Sequence, residues 1–328
     1  MPIKKRVLIT GATGFIGANL CREFLKKGAF LYVLTRKTSN KWRIKDILPD
    51  LKEISADLLD ADSLKREILN VKPEIILHTA AYGGYHFEND AKKIIESNLL
   101  GTMNLVSACK NIDFEVFVNT GSSSEYGIKA KAMKENDVLE PINVYGVSKA
   151  AATLYCQAFA LKEKRPLVTL RLFSPYGYYD EPARLVPSVA LSCLKGVNPG
   201  LASPLPVRDF LFIEDLIDAY VKIVENSRKL KQKIFNIGSG KQYSVGDIVD
   251  KLIKLSGKKV APDWGAVINS RVEPGLWRAD ASLAEKSFGW KAATDLESGL
   301  KKTMAWFAAN QSLYCSVNCK VGENSEAI

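Results

Sequence analysis

Two side chains that can move protons, Tyr145 and Lys149, lie four residues apart in the segment VYGVSKAAA. Residues at this spacing share one face of a helix, so an ammonium group would lie beside a phenol. The positive charge lowers the pKa of the phenol, which makes Tyr145 a proton donor or acceptor near neutral pH. The ammonium group can also hydrogen-bond a nicotinamide ribose. Tyr-x-x-x-Lys alone is common on surfaces, so the pair gains weight only together with other motifs.

A glycine-rich turn follows the first apolar run of the chain. The run Arg6 to Thr10 leads directly into TGATGFIG, which places Gly11, Gly14 and Gly17 at a strand-to-helix turn. Glycine permits positive φ and lets backbone N–H groups approach a pyrophosphate at the helix N-terminus. The alternative is a tight turn without a ligand, but the position in an alternating βα chain favours a dinucleotide. The further residues expected to contact it are Thr13, Phe15, Ile16, Asp57, Leu58, Ala80 and Ala81.

The end of the second strand indicates which dinucleotide is preferred. An acid there would hydrogen-bond the adenine ribose, whereas a cation accommodates a 2′-phosphate. The residues are Thr35, Arg36 and Lys37, without a carboxylate. We therefore expect NADP(H) to be preferred, with Arg36 as a bidentate phosphate clamp, and NAD(H) to be possible. The alternative is that both cations face solvent.

The elements that position these residues alternate between short apolar runs and amphipathic stretches of helical length. This pattern predicts a doubly wound parallel sheet of the Rossmann type with crossover helices. The predicted strands are 6–10, 30–35, 51–56, 75–79, 116–120 and 168–172, and the predicted helices are 14–27, 63–69, 91–109, 148–161 and 296–307. His78, at the end of the fourth strand, is interpreted as a structural histidine.

Two lobes and a tail are expected. Residues 1–173 form the dinucleotide-binding domain. Segments rich in Pro, Gly and aromatic residues follow, so residues 174–309 are predicted to form a smaller C-terminal α/β substrate lobe. A strand near 234–237 interleaves this lobe with the first domain. From 310 to 328 the chain is polar and without a period, which predicts a flexible tail.

The composition is that of an ordinary soluble globular protein. Of 328 residues, 47% are hydrophobic and 25% charged, which excludes disordered, collagen-like and disulfide-stapled classes. The formal net charge is +10, but the basic residues are scattered, so small anionic ligands fit better than nucleic acid. The N-terminus does not resemble a secretory signal and no apolar segment reaches 18 residues, so we expect a cytoplasmic protein without a membrane span.

The six cysteines do not predict a metal site. Cys315 and Cys319 have no paired histidine or second cysteine pair nearby, so a tail thiol pair without function is favoured over a metal site. The others stand singly in apolar patterns that are typical of buried free thiols in a reducing compartment, at Cys21, Cys109, Cys156 and Cys193.

Over residues 5–308 the chain resembles the extended short-chain dehydrogenase/reductase superfamily, in its sugar-nucleotide epimerase/dehydratase branch. The motifs that carry the resemblance, in family order, are TGATGFIG, HTAA, SNLLGT, GSSSEYG, YGVSK, RLF, RDFLFIEDL and GW. The resemblance implies that Ser122 is the catalytic hydroxyl, Tyr145 the acid/base and Lys149 the group that positions the ribose. For Asn98 it implies either a helix-bending or a proton-relay role.

The resemblance also implies a nucleotide-diphospho-sugar substrate and a homodimer. Arg208 and Arg271 match the arginines that grip the diphosphate, with surface ion pairs to Asp209 or Glu273 as the alternative. At Ser174 many members carry Asn, so this contact departs from the pattern. The remaining residues assigned to the substrate pocket are Tyr82, Ser123 and Arg184. The homodimer would use the predicted helices 91–109 and 148–161.

Three reactions use such a site: 4-epimerisation, 4,6-dehydration and reduction of a 4-keto sugar. The resemblance implies that dehydratases carry an acid and a glutamate directly after the catalytic hydroxyl, where this chain has Ser123 and Ser124, with Glu125 one residue too late. Arg36 and Lys37, together with the similarity of GSSSEYG to GDP-4-keto-6-deoxy-mannose reductases, favour NADPH-dependent reduction of the C4 ketone of a nucleotide-diphospho-4-keto-6-deoxy sugar. The chain is also similar to CDP-abequose and CDP-paratose synthase-like reductases. The alternatives are an NAD-dependent 4-epimerase, then a 4,6-dehydratase, and a non-catalytic NADP-binding sensor.

Overall fold

A parallel sheet of seven strands forms the centre of the molecule. We describe it from a computed structural model of the chain, for residues 2–85, 87–231, 233–268 and 274–318. The strand order is β3-β2-β1-β4-β5-β6-β7, and all neighbouring strands are parallel. The strands are β1 Arg6–Thr10, β2 Phe30–Thr35, β3 Lys52–Ser55, β4 Ile75–His78, β5 Val116–Ser122, β6 Leu167–Leu172 and β7 Ile234–Ile237.

Helices cover both faces of this sheet. Side chains alternate between the two faces along each strand, and both faces carry buried apolar residues. In β1, Val7 and Ile9 belong to one hydrophobic core and Leu8 to the other. The helices are α1 Phe15–Lys26, α2 Ala61–Val71, α3 Ala91–Ile95, α4 Gly101–Ala108, α5 Val144–Lys162, α6 Leu185–Lys195, α7 Ile213–Asn226, α8 Val245–Ser256, α9 Ser282–Phe288, α10 Leu296–Ala309 and α11 Gln311–Asn318. Helices α2, α4 and α5 pack on one face, and α1, α6, α7, α8 and α10 contribute to the other core. The predicted doubly wound fold is confirmed.

Beyond β6 the chain builds short strand pairs beside the sheet. Gly200–Leu201 pairs with Asp263–Trp264, and Val207–Arg208 pairs antiparallel with Tyr243–Ser244. Between Val207–Arg208 and Tyr243–Ser244 the chain contributes β7 to the edge of the central sheet, next to β6, at the position expected from IFNIG. The second half of the chain is therefore interleaved with the first.

Among the elements whose observed extent differs from the prediction, three bear on the site. The helix expected over 91–109 is interrupted by a π-helical turn, Glu96–Leu100, between α3 and α4. Strand β5 continues two residues further than expected, to Ser122. Helix α5 begins at Val144 rather than at 148, because the Asn143 side chain accepts a hydrogen bond from the Gly146 N–H (2.7 Å) and caps the first turn.

In the first part of the expected flexible tail, Gln311–Asn318 form helix α11. Tyr314 is 1% exposed, packs edge-on against Trp42 and donates a hydrogen bond from its hydroxyl to the Asp180 carbonyl (3.1 Å). One buried aromatic residue thus anchors a segment of otherwise polar sequence. The predicted Cys315 and Cys319 pair cannot be described, because the Cys315 side chain and residues 319–328 lie outside the described part. Within the described ranges, no helix has the length and apolar character needed to cross a membrane.

Candidate active site

A cleft of about 920 Å³ lies at the carboxyl ends of the strands, where ligands of open parallel sheets bind. All but two of the predicted site residues line it. They are Gly11, Thr13, Gly14, Phe15, Ile16, Gly17, Arg36, Asp57, Leu58, Ala80, Ala81, Tyr82, Ser122, Ser123, Tyr145, Lys149, Ser174, Arg184 and Arg208. Lys37 is absent from the lining, and Arg271, with Glu273 as its alternative partner, lies outside the described residues.

The glycine turn is packed too tightly for side chains at two of its three positions. Gly11 has a φ of +69°, and a Cβ atom built on it would lie 2.6 Å from the backbone nitrogen of Ala80. A Cβ atom on Gly17 would lie 2.2 Å from the carbonyl oxygen of Gly11. The turn therefore fits closely against β4 and α1, with Gly14 immediately before the first residue of α1. This arrangement suits a pyrophosphate at the N-terminus of α1.

The end of β2 presents a cation to the cleft. Arg36 lines the cleft, and its backbone N–H donates to the Ser39 hydroxyl (2.9 Å). The carboxylate beside this strand end, Glu53, does not line the cleft, accepts a hydrogen bond from Thr35 and forms an ion pair with Lys41 (2.5 Å). Of Arg36 and Glu53, only Arg36 therefore lines the cleft.

Ser122, Tyr145 and Lys149 meet on the cleft wall, although they come from two elements. Ser122 is the last residue of β5, while Tyr145 and Lys149 lie in the first two turns of α5. The nearby Ser122 side chain acts to lower the pKa of the Tyr145 phenol, because hydrogen bonding from it favours the ionised form. The Ser122 hydroxyl also accepts a hydrogen bond from the Ser124 N–H (3.1 Å).

Burial dominates the protonation of this group. It raises the pKa of Tyr145 to about 12 and lowers the pKa of Lys149 to about 8. The prediction that the Tyr145 phenol titrates near neutral pH is therefore wrong for the protein without ligands. Desolvation raises the pKa of the phenol more than the favourable contacts lower it. At neutral pH the Tyr145 hydroxyl carries its proton and can donate it.

Two arginines from the second half of the chain, Arg184 and Arg208, also line the cleft. The Arg184 guanidinium pairs with Asp180 (3.2 Å). Arg208 lies over the Trp277 ring, 5.6 Å from its centroid, and donates to the Val207 carbonyl. The alternative partner Asp209 is fully buried and accepts hydrogen bonds instead from the backbone of Ser239, Gly240 and Ala279 and from the Ser239 hydroxyl.

Among the cleft residues that the sequence analysis missed, three make contacts that shape the site. The indole N–H of Trp277 donates to the Ser123 hydroxyl (3.0 Å). The Glu88 carboxylate accepts hydrogen bonds from the backbone of the loop at Gly83 (2.8 Å). Arg43 joins the glycine turn to the second lobe, since it donates to the carbonyls of Thr13 and Tyr179 and pairs with Glu181. No local motif signals these contacts, because each joins segments that are distant in sequence or that lack a periodic pattern.

Asn98 and His78 both make contacts of a structural kind. Within the π-helical turn, the Asn98 amide exchanges hydrogen bonds with the Tyr82 backbone (2.9 and 2.7 Å) and donates to the Ser148 hydroxyl (2.9 Å). It therefore fixes the Tyr82 loop against α5. The two ring nitrogens of His78 are hydrogen-bonded to Thr10 and Thr102.

Cysteines and acidic groups in the described part offer no metal centre. The four cysteines predicted to be buried free thiols, Cys21, Cys109, Cys156 and Cys193, are all free and buried. Among the described residues, no three His, Cys, Asp or Glu side chains are grouped so as to hold a metal ion.

Comparison with known proteins decides the family. The model of the NAD dependent epimerase/dehydratase family matches residues 7–238. The chain belongs to this family. The predicted resemblance is confirmed, and with it the prediction that the protein is an enzyme of the oxidoreductase type.

Relatives within the family match almost the whole chain. A Bacillus subtilis protein named as an uncharacterized UDP-glucose epimerase is 28% identical over 93% of this chain and 98% of its own length. Human dTDP-D-glucose 4,6-dehydratase is 26% identical over 93% of this chain and 91% of its own. A crystal structure of UDP-glucuronic acid 4-epimerase from Bacillus cereus, in complex with UDP-glucuronic acid and NAD, is 26% identical, with a TM-score of 0.82 over 93% of this chain and 99% of its own.

Proposed function

We propose that the protein oxidises and reduces C4 of a nucleoside-diphosphate sugar, with 4-epimerisation as its net reaction. The observation that carries the proposal is one continuous cleft that joins the glycine turn, the group Ser122, Tyr145 and Lys149, and the arginines of the second lobe. In this proposal residues 1–173 bind the dinucleotide and residues 174–309 hold the sugar nucleotide. Relatives named as epimerases support the choice of reaction.

Each side chain has a role that its position supports. A bound nicotinamide dinucleotide supplies the hydride acceptor or donor. Tyr145 exchanges the proton of the C4 oxygen, Ser122 hydrogen-bonds this oxygen, and Lys149 stabilises the tyrosinate and positions the ribose. Arg184 and Arg208 supply guanidinium groups for the anionic part of the substrate.

Dehydration is the least supported of the three reactions. After Ser122, the next two side chains are hydroxyls, and that of Ser123 is already hydrogen-bonded by Trp277. Glu125 is fully buried behind the strand, in an ion pair with Arg171 (2.7 Å), and does not line the cleft. The elimination of water would therefore lack a carboxyl acid next to the catalytic hydroxyl.

A second candidate is the NADPH-dependent reduction of a C4 ketone on a 4-keto-6-deoxy sugar nucleotide. Arg36 in the cleft lining favours it, together with the neutralisation of Glu53 by Lys41. The protonated Tyr145 also suits proton donation to a developing alkoxide. This candidate implies a preference for NADP(H), which is exchanged at each turnover, whereas an epimerase retains NAD.

One experiment separates the two candidates. The purified protein is analysed by absorbance and mass spectrometry for retained dinucleotide, and is then assayed for C4 epimers of UDP-glucose and UDP-glucuronic acid and for NADPH oxidation by a 4-keto-6-deoxy sugar nucleotide. Retained NAD with epimer formation supports the epimerase. Exchangeable NADPH, consumed only with the keto sugar, selects the reductase instead. Dinucleotide binding without turnover on any of these substrates would identify a non-catalytic sensor and refute both.

Tyr145→Phe tests the assignment of the proton-transfer group. Removal of the hydroxyl should lower turnover by roughly 10² to 10⁴ while dinucleotide binding is retained. Tyr155→Phe is the matched control, because it removes from the same helix a hydroxyl that is hydrogen-bonded to Ser107 (3.4 Å), while the ring keeps its packing against the core. Equal activity of the two variants would contradict the role of Tyr145.

We also propose that the protein is a homodimer that buries the outer face of α5. Val147, Leu154 and Leu161 recur at seven-residue spacing on this helix and are exposed by 45%, 54% and 78%. Residues at this spacing form one apolar stripe. Sedimentation should show a dimer for the native protein and a monomer for Leu154→Glu.

A further inference from the structure

A buried ion pair lies directly behind the serine of the cleft. The Glu125 carboxylate is 0% exposed and Arg171 is 2% exposed, and the guanidinium Nε donates to Oε2 of Glu125 (2.7 Å). Burial of two charges carries a large desolvation penalty, so such a pair does not by itself stabilise the fold. Its position at the end of β5 suggests a role in the site.

One oxygen of Glu125 holds the backbone of Ser122. Oε1 accepts hydrogen bonds from the Ser122 N–H (2.8 Å) and from the Thr153 hydroxyl (3.0 Å). The space around it is closed, because a Cβ atom on Gly121 would lie 2.6 Å from this oxygen. The carboxylate therefore ties the last residue of β5 to the middle of α5, the helix that carries Tyr145 and Lys149.

The arginine is itself fixed from the opposite side. Its Nη1 donates to the Tyr126 hydroxyl (2.9 Å) and to the Glu135 carbonyl (3.1 Å). The Tyr126 hydroxyl donates in turn to the side chain of Asn236 on β7 (2.7 Å). The pair is thus held between β5, β6 and β7, and has little freedom to move.

Glu125 also lies within electrostatic range of Lys149. Burial lowers the pKa of this lysine, and the Glu125 charge raises it. The other titratable groups that interact with the ammonium are Cys156, on its own helix, and His78 on β4, which is neutral because burial lowers its pKa to about 3. Glu125 is therefore the negative charge that faces Lys149 among these described groups.

We propose that Glu125 is a positioning residue for the reaction at C4: with Arg171 as its partner, its carboxylate fixes the backbone of Ser122 and supplies the counter-charge opposite Lys149. The inference rests on the proposed function for its effect on turnover. It does not rest on that function for its effect on Lys149, which can be measured without substrate.

Three variants separate the two parts of this role. Glu125→Gln/Arg171→Met removes both buried charges and retains an oxygen that can accept the Ser122 N–H. Glu125→Asp retains the charge but withdraws the carboxylate from Ser122. Thr153→Val is the control, because it removes a second hydrogen bond to the same oxygen without touching Ser122 or the charge.

The first measurement is the pH dependence of acetylation of Lys149, followed by mass spectrometry of its peptide. Only the neutral amine reacts, so the midpoint reports its protonation. The midpoint should fall in the charge-free double variant and stay at the native value in Glu125→Asp and Thr153→Val. An unchanged midpoint in the folded double variant would overturn the counter-charge role, whether or not any sugar nucleotide is turned over.

The second measurement is the rate of hydride transfer, recorded at 340 nm between pH 6 and 10. Loss of the charged hydrogen bond to Ser122 should lower the rate of Glu125→Asp about ten- to hundredfold, with little change in KM. The double variant should lose activity at a lower alkaline pH than the native protein, because Lys149 deprotonates earlier. Native rates in Glu125→Asp, in a preparation where the native enzyme is active, would overturn the positioning role and leave the proposed function intact.

Discussion

Replacing Gly17 by alanine places a methyl carbon 2.2 Å from the carbonyl oxygen of Gly11, about 0.8 Å inside the closest approach that Cβ atoms make. The atoms in the way are backbone, with Gly11 and Ala12 both within 2.8 Å, so no side chain can rotate aside. Overpacking of this kind costs about 1 to 3 kcal/mol, against which alanine gains about 0.5 to 1 kcal/mol in a helix. We expect the free energy of unfolding to fall by about 1 kcal/mol, the difference between these two effects.

The same displacement should weaken cofactor binding, because the glycine turn must shift to admit the methyl group. A loss of about 1.4 kcal/mol corresponds to a tenfold higher Kd, and we expect at least this for the dinucleotide. Gly14→Ala is the matched comparison. Its methyl group meets only the Gly11 oxygen, at 3.2 Å, so stability should change by less than about 0.5 kcal/mol while the methyl occupies space on the cleft and still weakens binding.

Urea unfolding and fluorescence titration with the dinucleotide measure the two effects separately. The reasoning requires that Gly17→Ala loses both stability and affinity, and that Gly14→Ala loses affinity alone. If Gly17→Ala has the same urea midpoint of unfolding as the native protein and the same affinity for the dinucleotide, the close packing between α1 and the turn does not control the cofactor site.

Two further predictions concern buried rings. Burial lowers the pKa of His78 from 6.5 to about 3. Below pH 6.5 the unfolded chain therefore binds more protons than the folded protein. The free energy of unfolding should fall by about 1.4 kcal/mol per pH unit as the pH decreases towards 4. Urea unfolding at pH 7 and pH 5 should show this slope in the native protein and a smaller one in His78→Asn, and equal slopes would contradict it. Tyr314→Ala should cost about 3 kcal/mol, because it empties the buried site that anchors α11, whereas Tyr314→Phe should cost about 1 kcal/mol. Thermal unfolding of both variants measures this difference, and native stability of Tyr314→Ala would refute the anchoring role.

The sheet was predictable because its signals are local. Strands β1 and β2 have the bounds expected from their apolar runs, since both of their faces are buried and the turns that follow are marked by glycine or polar residues. The break between α3 and α4 was not predictable from periodicity, because the hydrogen bonds of Asn98 to the distant Tyr82 and Ser148 accompany it. Helix α11 was missed for a similar reason, since its anchor depends on Trp42 and Asp180.

The candidate site divides in the same way. The glycine turn and the Tyr145 and Lys149 pair follow from short-range spacing, and the cleft brings them together. Trp277 was not predictable, because it reaches Ser123 from a segment without a motif. The sequence analysis considered Glu125 only as an acid that comes one residue too late for dehydration. In the fold it does not line the cleft and pairs with Arg171 on β6.

The pairing of β7 with β6 has a consequence for the order in which the protein is made. A nascent chain that has reached only residue 173 carries every predicted cofactor residue, yet β6 still presents an unpaired edge. Exposed edges of this kind invite pairing with other chains. The edge is covered only after the ribosome has added the segment that ends with Ile237. Expression of residues 1–173 alone should therefore yield aggregates. A chaperone that covers the edge of β6 during synthesis would prevent this aggregation until β7 has been made.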